Sequence, residues 1–197
     1  MSSYAPAEIE KLDPRVKRTR ELILRAFVTL LAEKGFQAIT VQEITRRAEI
    51  NRATFYAHFP DKYALLQYSI RHTFAGELQK RTLSACHYSP ENLYALMVTV
   101  CDFIAKSGQP CKGQNGQFEA LVEKEVREQV RALLHMWLQK SDLAADKAEL
   151  LAAAAAWTIY GLARHWAGKR ATPPDAFVRE VLPLVQSLLF GEAILLR

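Results

Sequence analysis

An all-helical chain is expected, and three observations point to it. Apolar residues recur at helical spacing along nearly the whole of the 197 residues. No segment alternates apolar and polar residues for long, as a half-buried strand would. The glycines and prolines gather at the joints between the periodic segments, such as Gly35, Pro60, Ser89-Pro90 and Thr172-Pro173-Pro174. The count is about nine helices.

The first helix is marked at both ends. Asp13 is a good N-cap, and Pro14 fits the first helical position, where its missing N–H costs nothing. Val16, Leu22, Ile23, Ala26, Phe27, Leu30 and Leu31 form the stripe, and Lys34-Gly35 ends it. Thr40 and Glu43 then have capping-box spacing for a short helix over 41–48. Asn51 caps a second short helix, 52–59, after a tight connection at Glu49-Ile50. Pro60-Asp61 breaks that helix and starts a long one, 62–85. Further helices are expected over 90–106, 118–140, 143–168 and 174–190, with a Gly/Pro/Asn-rich loop at 107–117. A supporting helix followed by two short ones across a turn of three or four residues is the plan of a helix-turn-helix unit. The expected division is 13–68 for that unit and 69–197 for a larger helical body, with the boundary inside a helix.

Half of the residues are apolar and 24% are charged, which suits a globular protein. The apolar run 150–157 is too short and too rich in alanine to cross a bilayer. No basic segment followed by an apolar one opens the chain, and the three cysteines, Cys86, Cys101 and Cys111, lack metal or disulfide spacing. A cytoplasmic protein with no membrane partner, no metal and no cofactor is expected. Enzyme chemistry is not expected, since the chain has no Gly-rich phosphate loop, nucleophile elbow or HExxH helix. The net charge of +5 is uneven: residues 1–72 hold 12 Lys+Arg against 8 Asp+Glu, or +4, and the rest hold 14 against 13, or +1. A basic N-terminal third hints at a polyanion.

The stretch NRATFYAHFPDK, residues 51–62, sharpens the hint. Arg52, Thr54, Tyr56 and His58 carry donors, Phe55 and Phe59 share the opposite face, and no carboxylate occurs from Arg52 to Phe59. An ordinary solvated helix mixes both signs of charge. A helix that offers donors to phosphates and base edges while its back packs fits double-stranded DNA.

These residues resemble the DNA-binding domain of TetR-family transcriptional regulators. The resemblance runs from about residue 15 to 68 and is carried by Thr19-Arg20-Glu21-Leu22, Glu33-Lys34-Gly35-Phe36, Ile39-Thr40-Val41-Gln42-Glu43-Ile44 and, above all, Thr54-Phe55-Tyr56-x-His58-Phe59-x-x-Lys62-x-x-Leu65-Leu66. It implies phosphate contacts from Thr40, Tyr56, His58 and Lys62, and base-facing positions at Gln42, Arg52, Ala53 and Thr54. Arg52 has the fork that matches guanine O6 and N7, although a phosphate role also fits it. Many relatives have Gly or Pro at the position of Ala53. Arg15, Lys17, Arg18 and Arg20 fit contacts to the DNA backbone or the minor groove, and equally a solvated helix face.

The resemblance also implies a homodimer and a small-molecule effector, which together describe a repressor released from its operator. Ala153, Ala156 and Tyr160 on the penultimate helix, with Val178, Val181, Leu182, Val185 and Leu189 on the last, are the expected dimer interface. Met97, Cys101, Phe103, Phe118, His135, Met136, Trp137, Trp157 and Tyr160 are candidates for an effector pocket or plain core. Two alternatives accompany this reading. One is a co-activator or adaptor that works through a protein partner. The other is a redox sensor using Cys111, beside Lys112, and Cys101.

Overall fold

The computed structural model describes residues 13–81, 87–107, 116–141 and 143–191, and these form eight helices. They are α1 (Pro14–Lys34), α2 (Val41–Arg47), α3 (Arg52–His58), α4 (Lys62–Arg81), α5 (Pro90–Ser107), α6 (Gly116–Leu138), α7 (Ala145–Lys169) and α8 (Pro174–Phe190). The all-helical class expected from sequence is what the structure has. The expected last turn of α4, to Ala85, and most of the 107–117 loop lie outside the described residues, as do Cys86 and Cys111.

The helix ends follow local chemistry. Asp13 Oδ1 accepts from the Arg15 amide at 2.7 Å, and Gly35 ends α1 at a φ of +74°, which a side chain would resist. Thr40 and Glu43 complete both halves of the capping box on α2. Asn51 Oδ1 caps α3 by accepting from the Thr54 amide at 2.7 Å. Glu49 takes a positive φ of 55° in the turn between them. Asp61 Oδ1 accepts from the amides of Tyr63 and Ala64 at 2.8 Å each and starts α4.

Helices α1 to α3 and the start of α4 enclose a small core of Ile23, Phe27, Phe36, Ile39, Ile44, Phe55, Phe59, Leu65 and Leu66. We call this part the head. In the body α7 packs against α6 and α5, and α8 packs against α5 and α7. The alanines of α7 serve that packing: Ala148, Ala152, Ala155, Ala156 and Ala163 are buried, so neighbouring helices approach closely. Phe74 of α4 meets Phe103 of α5 edge-on at 5.0 Å.

Head and body meet along α6. Phe118, in its first turns, stands 6.4 Å from the Phe36 ring of the α1–α2 turn. Two turns further on, Glu125 is only 1% exposed; it accepts from Gln67 Nε2 at 2.6 Å and from Arg71 Nε at 2.8 Å, both on α4. A buried carboxylate needs such partners, because desolvation disfavours it strongly. Arg71→Ala is therefore expected to destabilise the protein by about 3 kcal/mol. The double change Arg71→Ala/Glu125→Leu should recover most of that loss, as read by urea denaturation.

Candidate nucleic-acid interface

Helix α3 separates its faces cleanly. Phe55 is fully buried and Phe59, just beyond the helix, is 4% exposed; their rings lie 6.0 Å apart. Arg52, Ala53, Tyr56 and Ala57 face outward, and Gln42 on α2 is exposed as well. The Arg52 guanidinium lies 6.0 Å from the Tyr56 ring centre, with Nη2 3.4 Å from the hydroxyl. The two side chains, four residues apart, thus stand together as a donor-bearing pair.

The other expected contacts are more engaged. Thr54 donates its hydroxyl to Asn51 Oδ1 at 2.9 Å, which leaves its methyl and lone pairs to offer. The Thr40 hydroxyl donates to Glu43 Oε2 at 2.9 Å. His58 is partly buried, and burial followed by the charge of Arg20 holds its imidazole below the usual value of 6.5. It is therefore mainly neutral at pH 7 and donates through a single N–H.

Lys62 stands apart from this set. Its ammonium turns inward to the carbonyls of Phe36, Gln37 and Ile39, at 3.3, 3.2 and 3.0 Å. Burial lowers its pKa. In the basic cluster, Arg15 and Arg18 are exposed, whereas Arg20 sits over the rings of Phe59 and Tyr68 at 5.7 and 5.5 Å. Arg20 thus braces the back of α3 and does not extend toward a ligand.

Glu43 was legible as half of a capping box but not as a hub. It also pairs with Lys34 at the end of α1, and so ties α1 to α2. The Lys34 bond, then those of Thr40, hold its carboxyl at about 2, against an ordinary 4.5.

The body residues divide as follows. Met97, Cys101, Phe103, Phe118, Trp137 and Tyr160 are buried. His135 is partly exposed, with Nδ1 3.5 Å from Glu149 Oε2, and Met136 is exposed. Trp157 is 55% exposed, with the Arg127 guanidinium 3.4 Å from its ring centre, so it lines no interior. Among the expected interface residues Ala156, Tyr160, Val178, Val181, Val185 and Leu189 are buried in their own chain, and only Ala153 and Leu182 retain partial exposure. A valine at 0% exposure, such as Val178 or Val185, has no surface left for a second copy. The apolar residues that do face outward are one helical step away: Leu150 (69%), Trp157, Leu184 (63%) and Leu188 (36%). The Cys101 thiol is buried and pushed up to about 12, mainly by that burial, so it holds its proton at neutral pH and offers no reactive thiolate.

Two short capped helices on a packed support, with an acid-free outer face, define a helix-turn-helix protein. The family model described as bacterial regulatory proteins, tetR family, matches residues 23–68. The HTH-type transcriptional regulator YxbF of Bacillus subtilis is 33% identical over 183 residues, or 90% of this chain and 48% of that one. The chain thus spans about half the length of that relative. Among solved structures, a TetR-family regulator of Streptomyces coelicolor superposes with a TM-score of 0.59 at 19% identity, covering 90% of this chain and 97% of the other. RolR in complex with resorcinol gives 0.55 at 18% identity, covering 93% and 97%. The match to the TetR family model thus falls in the head and the first residues of α4, and the solved structures share the fold.

The charge state of Glu43 makes a prediction. Its folded pKa lies below the unfolded value, so the stability it contributes is complete above about pH 4.5 and is lost as pH falls through about 2. The gap in denaturation midpoint between the wild type and Glu43→Gln should therefore be constant near neutrality and close across that acid window. A gap that persists to pH 2 would show that Glu43 acts by packing alone.

Proposed function

We propose that the protein is a homodimeric, sequence-specific DNA-binding transcriptional regulator, a repressor released from its operator by a small molecule. The observation that carries this is the outer face of α3. Arg52, Ala53 and Tyr56 are exposed there together, with no carboxylate on the helix and its back fixed by Phe55. Arg52 and Thr54 read base edges, with Gln42 beside them on α2. Ala53 lets the backbone approach closely. Tyr56, Thr40 and His58 serve the phosphates.

The dimer reading rests on the outward apolar residues of α7 and α8. Leu150, Trp157, Leu184 and Leu188, with Ala153 between the first two, are larger and more apolar than a solvated helix pair needs. Two such helices from each copy form a four-helix contact, and the resulting two-fold axis suits a palindromic operator. The effector reading rests on the buried Met97, Cys101, Phe103 and Trp137 of the body and on the resorcinol held by RolR. An effector among these side chains acts on the head through α6, at Phe118 and Glu125. The working division remains residues 13–68 for DNA and 69–197 for dimer and effector.

Two measurements test the proposal. Fluorescence anisotropy on a pool of random duplexes should select palindromic sequences whose binding weakens steeply with salt. Arg52→Ala should cost roughly 1–3 kcal/mol and relax base choice at one position per half-site, whereas Tyr56→Phe should weaken all duplexes alike. Weak binding that is blind to sequence and to both changes would sink the DNA reading. For the dimer, Trp157→Glu should turn a two-chain species into a one-chain species by light scattering, with the helical content retained.

A further inference from the structure

We propose that Glu125 is a positioning residue for DNA reading. Clamped between Gln67 and Arg71, its carboxylate sets the direction in which each head leaves the body, and so the half-site spacing that a dimer accepts. The inference rests on the dimeric DNA reading above and deepens it.

Three features of the contact point this way. Both carboxylate oxygens are used, and by one helix: Gln67 Nε2 donates to Oε1 at 2.6 Å and Arg71 Nε to Oε2 at 2.8 Å, so Glu125 spans one turn of α4. A slide of α4 by one residue, about 1.5 Å, cannot keep both bonds in range. The second feature is burial. The Glu125 side chain is 1% exposed, and an apolar pair in the same space would hold the helices together about as well. Such a pair would also let them slide, so what the charged contact adds is direction. The third is place. At its far end α4 is tied to α5, by Phe74 against Phe103 and by Arg81 Nη2 at 2.5 Å from Asp102 Oδ2. Toward the head, α6 meets Phe36 through Phe118, about 10 Å along the helix from Glu125. A ring contact by itself is a pivot, whereas two contacts that far apart on one helix fix an angle.

In a two-fold dimer the angle at this joint fixes both the separation and the relative turn of the two α3 helices. Adding one base pair between half-sites moves them apart by about 3.4 Å and turns one against the other by about 34°. Stiff joints match one spacing. Loose joints reach several and bind each less tightly, because the heads must then be ordered on the DNA.

The test compares the full-length wild type with Arg71→Ala/Glu125→Leu, under conditions where both are fully folded. A duplex selected by the wild type from a random pool is remade with one base pair added or removed at its centre. Either change should cost the wild type roughly tenfold or more in affinity, and the double variant less than about threefold. On a single half-site the two proteins should bind alike, since the outer face of α3 is untouched. A spacing profile in the double variant as sharp as that of the wild type, and centred on the same length, would overturn the proposal, because the bridge would then stabilise without positioning. A loss on the half-site equal to that on the whole duplex would overturn it too, since the bridge would then act on the reading face itself. If no two-fold duplex is selected, the dimeric DNA reading fails by itself, and the joint is measured without DNA. In residual dipolar couplings the amides of α1–α3 and of α5–α8 should share one alignment in the wild type and show two in the double variant. Two alignments in the wild type, or one in both proteins, would overturn the proposal.

Discussion

A helix of seven residues does not hold itself in water, because nucleation consumes most of what two turns of hydrogen bonds return. Both α2 and α3 are that short. Everything the head does depends on supplying from outside the order these helices cannot generate. Phe55 and Ile44 supply it from beneath, fully buried in the shared core. Asn51 and Thr40 supply it at the N-termini, where otherwise unpaired amides would invite fraying. Glu43 and Arg20 supply it laterally, one by pairing with Lys34 and the other by spreading over Phe59 and Tyr68. Much of the charge in the head is used in this way. The outer face of α3 carries Arg52 and Tyr56 with no carboxylate on the helix, and that makes the face distinctive.

The second constraint is that the head must not float. A single long helix, α4, leads from head to body, and α6 lies against it. The polar contact at Glu125 and the aromatic contact at Phe118 lie about two turns apart on the same helix. They differ in kind. Rings slide and re-tilt at small cost, whereas a buried carboxylate with two donors has few acceptable positions. The junction therefore combines a permissive contact close to the core of the head with a demanding one further along α4.

Much of this was legible in the sequence. Caps announce themselves through residue type and spacing, so Asp13, Thr40 with Glu43, Asn51 and Gly35 could each be placed before any coordinate. The two-faced character of α3 followed from Phe55 and Phe59 being four apart. Sequence reasoning lost its grip where a residue's partner is distant along the chain. Lys62 finds its carbonyls 23 to 26 residues away, and Glu125 its donors 54 and 58 away. No local pattern encodes such pairings. The outer face of α7 and α8 shows a related limit. Both helices are apolar over a wide arc, so periodicity gives the stripe but not which edge of it the chain keeps for itself. Val178 and Val185 went inward, while Leu184 and Leu188 were left outside.

The buried bridge at Glu125 also bears on modularity. Two units joined by one helix look ready for exchange, with the head of one regulator grafted onto the body of another. The graft boundary falls within α4, however, and Gln67 and Arg71 straddle residue 68, the last that the family model matches. A transplanted head that brings an aliphatic residue to position 67, or a junction that displaces position 71, leaves the carboxylate of the recipient body without its counterpart. A workable chimaera carries α4 through Arg71 as part of the head only when the body offers an acid at 125. Otherwise it exchanges both sides of the contact together. The seam between these units is written in two helices, and neither can be recut without the other.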